Sequence, residues 1–233
     1  MSNEMYTKGE YLEKNPTWHT EDSHFKVDQI LEMLRRNQLQ PSSVCEVGCG
    51  AGEILNQLHS KMLNDVSFVG YEISPQAFEL CEQKQKERLQ YHLKDVLQDD
   101  NVFFDLLLVM DVIEHIEDYY DFLRKLHKKG HYKLFRIPLD LSAKTIFDGC
   151  THILTERETV GHLHYFTKEI ALAVLKDTGY EVVDYFFTPI ITYLKSKSAK
   201  IKLKRFLINI LFGFNPDATA RIFGGYSLIV LTK

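Results

Sequence analysis

The sequence predicts one doubly wound α/β domain, and three observations carry that prediction. Apolar runs of strand length alternate with stretches of helical periodicity along most of the 233 residues. A glycine-rich turn, Gly48-Cys49-Gly50-Ala51-Gly52, closes the first of those runs. The run Phe103 to Met110 is almost unbroken apolar, as expected of a central parallel strand covered on both faces.

The elements follow in order. Phe25, Val27, Ile30, Leu31 and Leu34 recur at helical spacing, so 24–36 reads as a helix ahead of a first strand near 44–47. A helix follows the glycine turn, then a strand from Ser67 to Tyr71 that Glu72 closes. Ser74 suits an N-cap with Pro75 at the first helical position, and that helix is expected to run to Arg88. Leu89 to Leu93 is a third strand, and the run ending at Met110 a fourth. A helix over 117–128, a strand over 132–137 ended by Pro138, a helix from Thr167 to Asp177 and a strand after Tyr180 continue the alternation. Glu181 to Phe187 and Tyr226 to Leu231 are strand-like, but no crossover helix of ordinary polarity joins them.

The glycine turn is a ligand loop. Glycine lets backbone approach a ligand closely, and the helix that follows presents unpaired N–H groups. A dinucleotide fingerprint beginning at Gly48 requires glycine at position 53, which is Glu53, and Glu46 would repel a pyrophosphate. A ligand with positive charge fits better. Here the sequence resembles the class I, seven-strand S-adenosylmethionine-dependent methyltransferases, a Rossmann-like family, over 44–190 and 226–233. The resemblance implies sheet order 3-2-1-4-5-7-6 with the last strand antiparallel, S-adenosylmethionine as cofactor, and methyl transfer as the activity. Val112-Ile-Glu114-His115-Ile116 looks like the branch of ubiquinone-biosynthesis O-methyltransferases, which implies a small-molecule or saccharide acceptor methylated at oxygen. Other readings are a non-catalytic S-adenosylmethionine-binding module and a methyltransferase acting on a lipid-linked acceptor. Glu46 and Glu53 disfavour a nicotinamide oxidoreductase.

The expected site follows from strand ends, where ligands of open α/β sheets bind. Glu46 faces the ligand's positive charge beside Gly48, Cys49, Gly50 and Gly52. Glu72, twenty residues past Gly52, is placed to accept bonds from ribose hydroxyls, with Ile73 after it. By resemblance Asp95 and Val96 border adenine, the alternative for Asp95 being a turn residue. Met110, Asp111 and His115 border the methionine part and the acceptor. Trp18 is expected to lid the cofactor and Lys26 to pair with its carboxylate; the competing reading makes Ser23 a helix cap and Trp18 a packing staple. His115, His162 and His164 are candidate catalytic bases, because imidazole titrates near neutrality. In some relatives an acid–acid–histidine set spaced as Asp111, Glu114 and His115 binds a divalent metal, but no metal is assigned here, since carboxylate and imidazole at a helix start explain the same letters.

Composition sets outer limits. A formal net charge of −4 argues against nucleic acid as a partner. Cys45, Cys49, Cys81 and Cys150 have no zinc or C-x-x-C spacing and read as reduced thiols. With no basic-then-apolar leader, a cytoplasmic monomer or homodimer is expected. The organisation is a single domain over 1–233, with an N-terminal lid and helix at 1–43 and an insertion at 191–225. Within that insertion, 195–214 sets six cations before an apolar block. The favoured reading is a pocket cover or dimer face with solvated lysines; the other is peripheral contact with an acidic membrane.

Overall fold

The computed structural model describes residues 5–6, 9–18, 20–63, 65–189 and 199–233, with side chains of the last stretch from 206 onward. One sheet holds β1 (Ser43–Val47), β2 (Ser67–Glu72), β3 (Leu89–Leu93), β4 (Phe104–Met110), β5 (Gly130–Pro138), β6 (Val182–Pro189) and β7 (Tyr226–Thr232), in the order β3-β2-β1-β4-β5-β7-β6. β2, β1, β4 and β5 pair in parallel, as do β3 and β2, while β7 runs antiparallel to both β5 and β6. Both the order and the reversed last strand are as expected.

Around the sheet lie α1 (Glu10–Lys14), α2 (Ser23–Arg36), α3 (Glu53–Lys61), α4 (Pro75–Glu82), α5 (Tyr119–Leu126), α6 (Ala143–Phe147), α7 (Thr151–Thr159), α8 (Lys168–Asp177), α9 (Ala199–Phe214) and α10 (Pro216–Phe223). Val27, Ile30 and Leu34 of α2 and Leu55 and Leu58 of α3 join one core with Leu106, Leu108 and Ile229. Phe122, Leu123 and Leu126 of α5 and Val174 and Leu175 of α8 join another with Leu107, Val109 and Val230. Adjacent residues of β4 thus feed opposite cores, which is why its sequence is apolar throughout. Each fully buried Leu or Phe contributes about 1.5–3 kcal/mol.

Several expected boundaries move. α4 ends at Glu82 rather than Arg88: the chain turns, Lys86 bridges to Leu89, and Arg88 takes φ +64° to deliver Leu89 into β3. Ser23 is the first buried residue of α2 rather than its cap, which falls at Asp22 with no side-chain cap bond. Ser74 and Thr167 do cap, accepting from the N–H groups of Ala77 and Ile170. β5 starts at Gly130, where a Cβ would stand 2.9 Å from the Phe104 carbonyl oxygen. Pro138 stays within the strand, at its end opposite Ser227. No described helix is long and apolar enough to cross a membrane.

Candidate functional site

A cavity of about 1460 Å³ opens at the carboxyl ends of the parallel strands. The β1–α3 loop forms its floor. Gly48 and Gly50 adopt φ +67° and +53°, and the Gly48 and Cys49 N–H groups both donate to the Tyr71 carbonyl, at 2.8 and 3.1 Å. Gly52, also expected at the ligand, serves packing instead. It is off the cavity wall, a Cβ there would meet Cys81 and Tyr91 at 2.7 Å, and its carbonyl accepts from the Tyr91 hydroxyl at 2.7 Å.

Glu46 and Glu72 stand beneath this loop. Glu46 is 2% exposed, and its Oε2 has no hydrogen-bond partner. Burial pushes its carboxyl up to about 8, against the opposing pull of Lys26. An acid left this way, on the wall of a cavity, is arranged for a cation. Glu72 already accepts three backbone bonds, from Gly50 at 2.7 Å and from Ile73 and Ser74 at 2.8 Å. Its burial still raises it. A carboxylate has about four lone-pair sites, so one stays open for a ribose hydroxyl. Ile73 lines the wall, as does Asp95, whose Oδ1 accepts from Leu97 N–H at 2.9 Å, the turn role weighed above. Val96, also expected beside adenine, is off the cavity wall, its side chain buried in the core at 1% exposure.

Met110 and Asp111 end β4 on the cavity wall. Asp111, at φ +58°, is gripped by the Arg136 guanidinium and by Lys26 Nζ, the latter at 2.8 Å. Burial alone would raise its carboxyl, but the two cations outweigh that and hold it well below the carboxylate range. Lys26, expected to pair with a cofactor carboxylate, pairs here with Asp111, which it shares with Arg136. Trp18, at φ +48°, packs against Tyr11 with the rings tilted at 45° and centroids 4.7 Å apart, and covers Gly50, its ring carbon 3.7 Å from where a Cβ would be. Its indole N–H is buried without a partner. Trp18 thus lines the cavity wall above Gly50, the place expected of a lid.

A cluster of ionisable groups lies beyond. Glu114 is fully buried, neither carboxylate oxygen bonds to another residue, and burial followed by repulsion from Asp111 pushes it up to about 8. His162 Nδ1 meets Asp140 Oδ2 at 2.7 Å. Burial alone would depress His162, but that bond and the charge of Glu114 raise it to about 9. His115 is lowered to about 3, first by burial and then by the charge of His162. Tyr6 donates its hydroxyl to the Val160 carbonyl at 3.0 Å, so toward His115 Nδ1, 2.9 Å away, it accepts. Nδ1 also faces the Gly161 carbonyl at 3.2 Å. These partners fix the proton on Nδ1 and leave the Nε2 lone pair facing Glu114 Oε1 at 3.9 Å.

His164 is apart from this cluster. It is off the cavity wall, with its ring against Tyr119 and Nε2 on the Glu117 carbonyl at 3.2 Å. Glu114, His115 and His162 each bring a donor atom within 4.8 Å of the others, the one such cluster among the described residues. The set implied by resemblance is not assembled, however, because Asp111 is already neutralised by two cations. Reading the sequence missed Tyr6, Arg136 and Asp140, and met Glu114 only as an implied metal ligand. Arg136 and Asp140 follow the strand-end rule at β5 that found Asp111 at β4; Tyr6 has no signal in sequence.

Comparison with known proteins agrees with this geometry. The family model described as a methyltransferase domain matches residues 18–185. No curated protein matches the sequence. The fold is similar to magnesium protoporphyrin IX methyltransferase from Synechocystis PCC 6803, solved with bound S-adenosylhomocysteine: TM-score 0.59, 16% identity, covering 90% of this chain and 83% of that one. A SAM-dependent methyltransferase from Archaeoglobus fulgidus gives 0.58 at 16% identity over 93% and 99%. The N-methyltransferase NodS from Bradyrhizobium japonicum WM9 gives 0.55 at 16% over 90% and 85%. With the family model spanning most of the chain and the class I sheet complete, the chain belongs to the methyltransferase domain family and is an S-adenosylmethionine-dependent methyltransferase.

Proposed function

We propose that the enzyme methylates a hydroxyl oxygen of a small-molecule or saccharide acceptor, with Glu114 receiving the acceptor's proton. The observation that carries this is the buried Glu114 carboxyl on the cavity wall, with both oxygens unbonded to any other residue. S-adenosylmethionine, when bound, supplies a methyl group on a sulfonium, which an acceptor atom displaces in line. The chain's own residues align the reactants and handle charge.

Glu46 holds the ligand's ammonium, Glu72 takes a ribose hydroxyl on its remaining lone pair, and Asp95 borders adenine. Trp18 excludes water above the loop. A hydroxyl attacks well only as its proton leaves, and a carboxyl titrating near 8 is matched to that task at neutral pH. His162, kept cationic by Asp140, offers charge to the developing oxygen anion. His115 is a neutral imidazole whose Nε2 lone pair lies toward Glu114. Beyond the histidines the wall carries Asn15, Thr145, His152, Glu156 and Thr159, which suits a hydroxyl-rich acceptor.

The test uses methyl-labelled S-adenosylmethionine and a fractionated small-molecule extract of the source cells. Wild type should label a product, while Glu114→Gln should lower turnover about 10²-fold or more with cofactor affinity unchanged. Full turnover in Glu114→Gln would remove Glu114 from the chemistry. Cofactor binding with no product from any fraction would favour a non-catalytic binding module.

A further inference from the structure

We infer that the α9–α10 unit is a docking face for an anionic lipid bilayer. Helix α9 is apolar on more than one side. Its inner side is accounted for: Ile208 is buried, and Phe212 stacks on Tyr226 with centroids 4.7 Å apart at 11° and meets Phe187 edge-on. Its outer side is not. Leu207, Ile210, Leu211 and Phe214 recur at helical spacing and are 54%, 42%, 46% and 85% exposed. α10 packs against both α9 and α6, and each continues the theme, with Ile222 on α10 and Ile146 and Phe147 on α6 exposed. Phe147 is 90% exposed. Single exposed apolar residues are ordinary, but four recurring along one side of one helix make an interaction surface.

Charge identifies the occupant. Between Asp184 and Asp217 the sequence has no acidic residue, and Lys200, Lys202, Lys204 and Arg205 stand on the first turns of α9, ahead of the apolar stripe. Residues 195–198 and the side chains of 199–205 lie outside the described structure, so this part rests on sequence alone. A net charge of −4 for the whole chain makes the block a local attraction rather than a general one. Cations that precede an exposed Leu/Ile/Phe stripe along one helix match headgroup phosphates above acyl chains.

None of Phe206–Phe214 lines the cavity. The contact with the site is indirect: α10 ends in Phe223, Gly224 and Gly225, which do line it. Docking would therefore set this part of the cavity rim beside the bilayer. The docking stands apart from the oxygen-acceptor reading above and has its own readout.

The experiment is co-sedimentation of the full chain with vesicles of phosphatidylcholine alone or mixed with phosphatidylglycerol. The protein should pellet with the anionic vesicles at low salt, be released by added salt, and stay in solution with phosphatidylcholine alone. Lys200, Lys202 and Lys204 changed to Glu should reduce partition by roughly 100-fold, at about fivefold per lysine. Leu211→Asp with Phe214→Asp should also abolish pelleting, with unchanged circular dichroism and melting because both positions are exposed. No pelleting of wild type at low salt, or undiminished pelleting of either variant, overturns the proposal. So does a concentration-dependent dimer by ultracentrifugation that Leu211→Asp/Phe214→Asp dissociates, which would assign the face to a second copy of the chain.

Discussion

Glu46 and Glu114 are both buried acids raised to about 8, and their surroundings give them different tasks. Glu46 lies under the glycine loop with one oxygen unpartnered, where a ligand ammonium would pull its carboxyl back toward the ordinary range. Binding of S-adenosylmethionine near pH 7 should therefore release protons, read by calorimetry in two buffers of different ionisation enthalpy. Glu46→Gln should abolish that release; a buffer-independent enthalpy in wild type would show that Glu46 does not meet the ammonium. Glu72→Ala removes both the ribose contact and the anchor of the Gly50 N–H. It should weaken cofactor binding by about 1.5–3 kcal/mol, the usual worth of a hydrogen bond to a charged group. An unchanged dissociation constant in a folded variant would remove Glu72 from the site. Both acids were legible from their spacing to the glycines. That Glu114 would be left unbonded was not, because it depends on Asp140 taking His162 and Tyr6 taking His115.

At the scale of elements, periodicity located every strand, and strand ends located the site. The expected helices that moved did so where tertiary contacts override local preference: α4 yields to the turn that starts β3, and Ser23 is drawn into the core. Helices α1, α6, α7, α9 and α10 escaped because they are short, polar, or, in α9, apolar without a single face. At the same scale, α1 and the segment to α2 bring Tyr11 and Trp18 over the loop, and Asp111 ties α2 to β4 and β5 through Lys26 and Arg136. Asp111→Ala leaves two cations facing each other in a buried site, and should destabilise the fold by about 3–5 kcal/mol. Chemical denaturation tests this. A loss below 1 kcal/mol would mean the cations find solvent.

Across the whole molecule, the ionisable cluster makes stability depend on pH. Glu46, Glu114 and His162 are all raised in the folded state, to about 8, 8 and 9. The folded protein then holds protons the unfolded chain releases, so the contribution of the two glutamates is lost as pH rises from about 4.5 to 8 and that of His162 as it rises from 6.5 to 9. His115 is lowered to about 3, so its contribution is lost only as pH falls from 6.5 toward 3. The ligand-free melting temperature should accordingly decline from pH 6.5 to 9 by scanning calorimetry, and a flat profile would contradict these assignments. Methyl transfer should survive a chelator, since Asp111 is engaged by Arg136 and Lys26. Inactivation reversed by magnesium would instead make Glu114, His115 and His162 a metal site.

The central claim is transfer to oxygen. Carbon-13 spectroscopy of the product formed from methyl-13C S-adenosylmethionine tests it most directly, because methoxy and N-methyl carbons resonate in separate regions. The account predicts a methoxy signal whose rate of appearance rises with pH through about 8 as Glu114 loses its proton. An N-methyl signal, or a methoxy signal formed equally fast by Glu114→Gln, would contradict it.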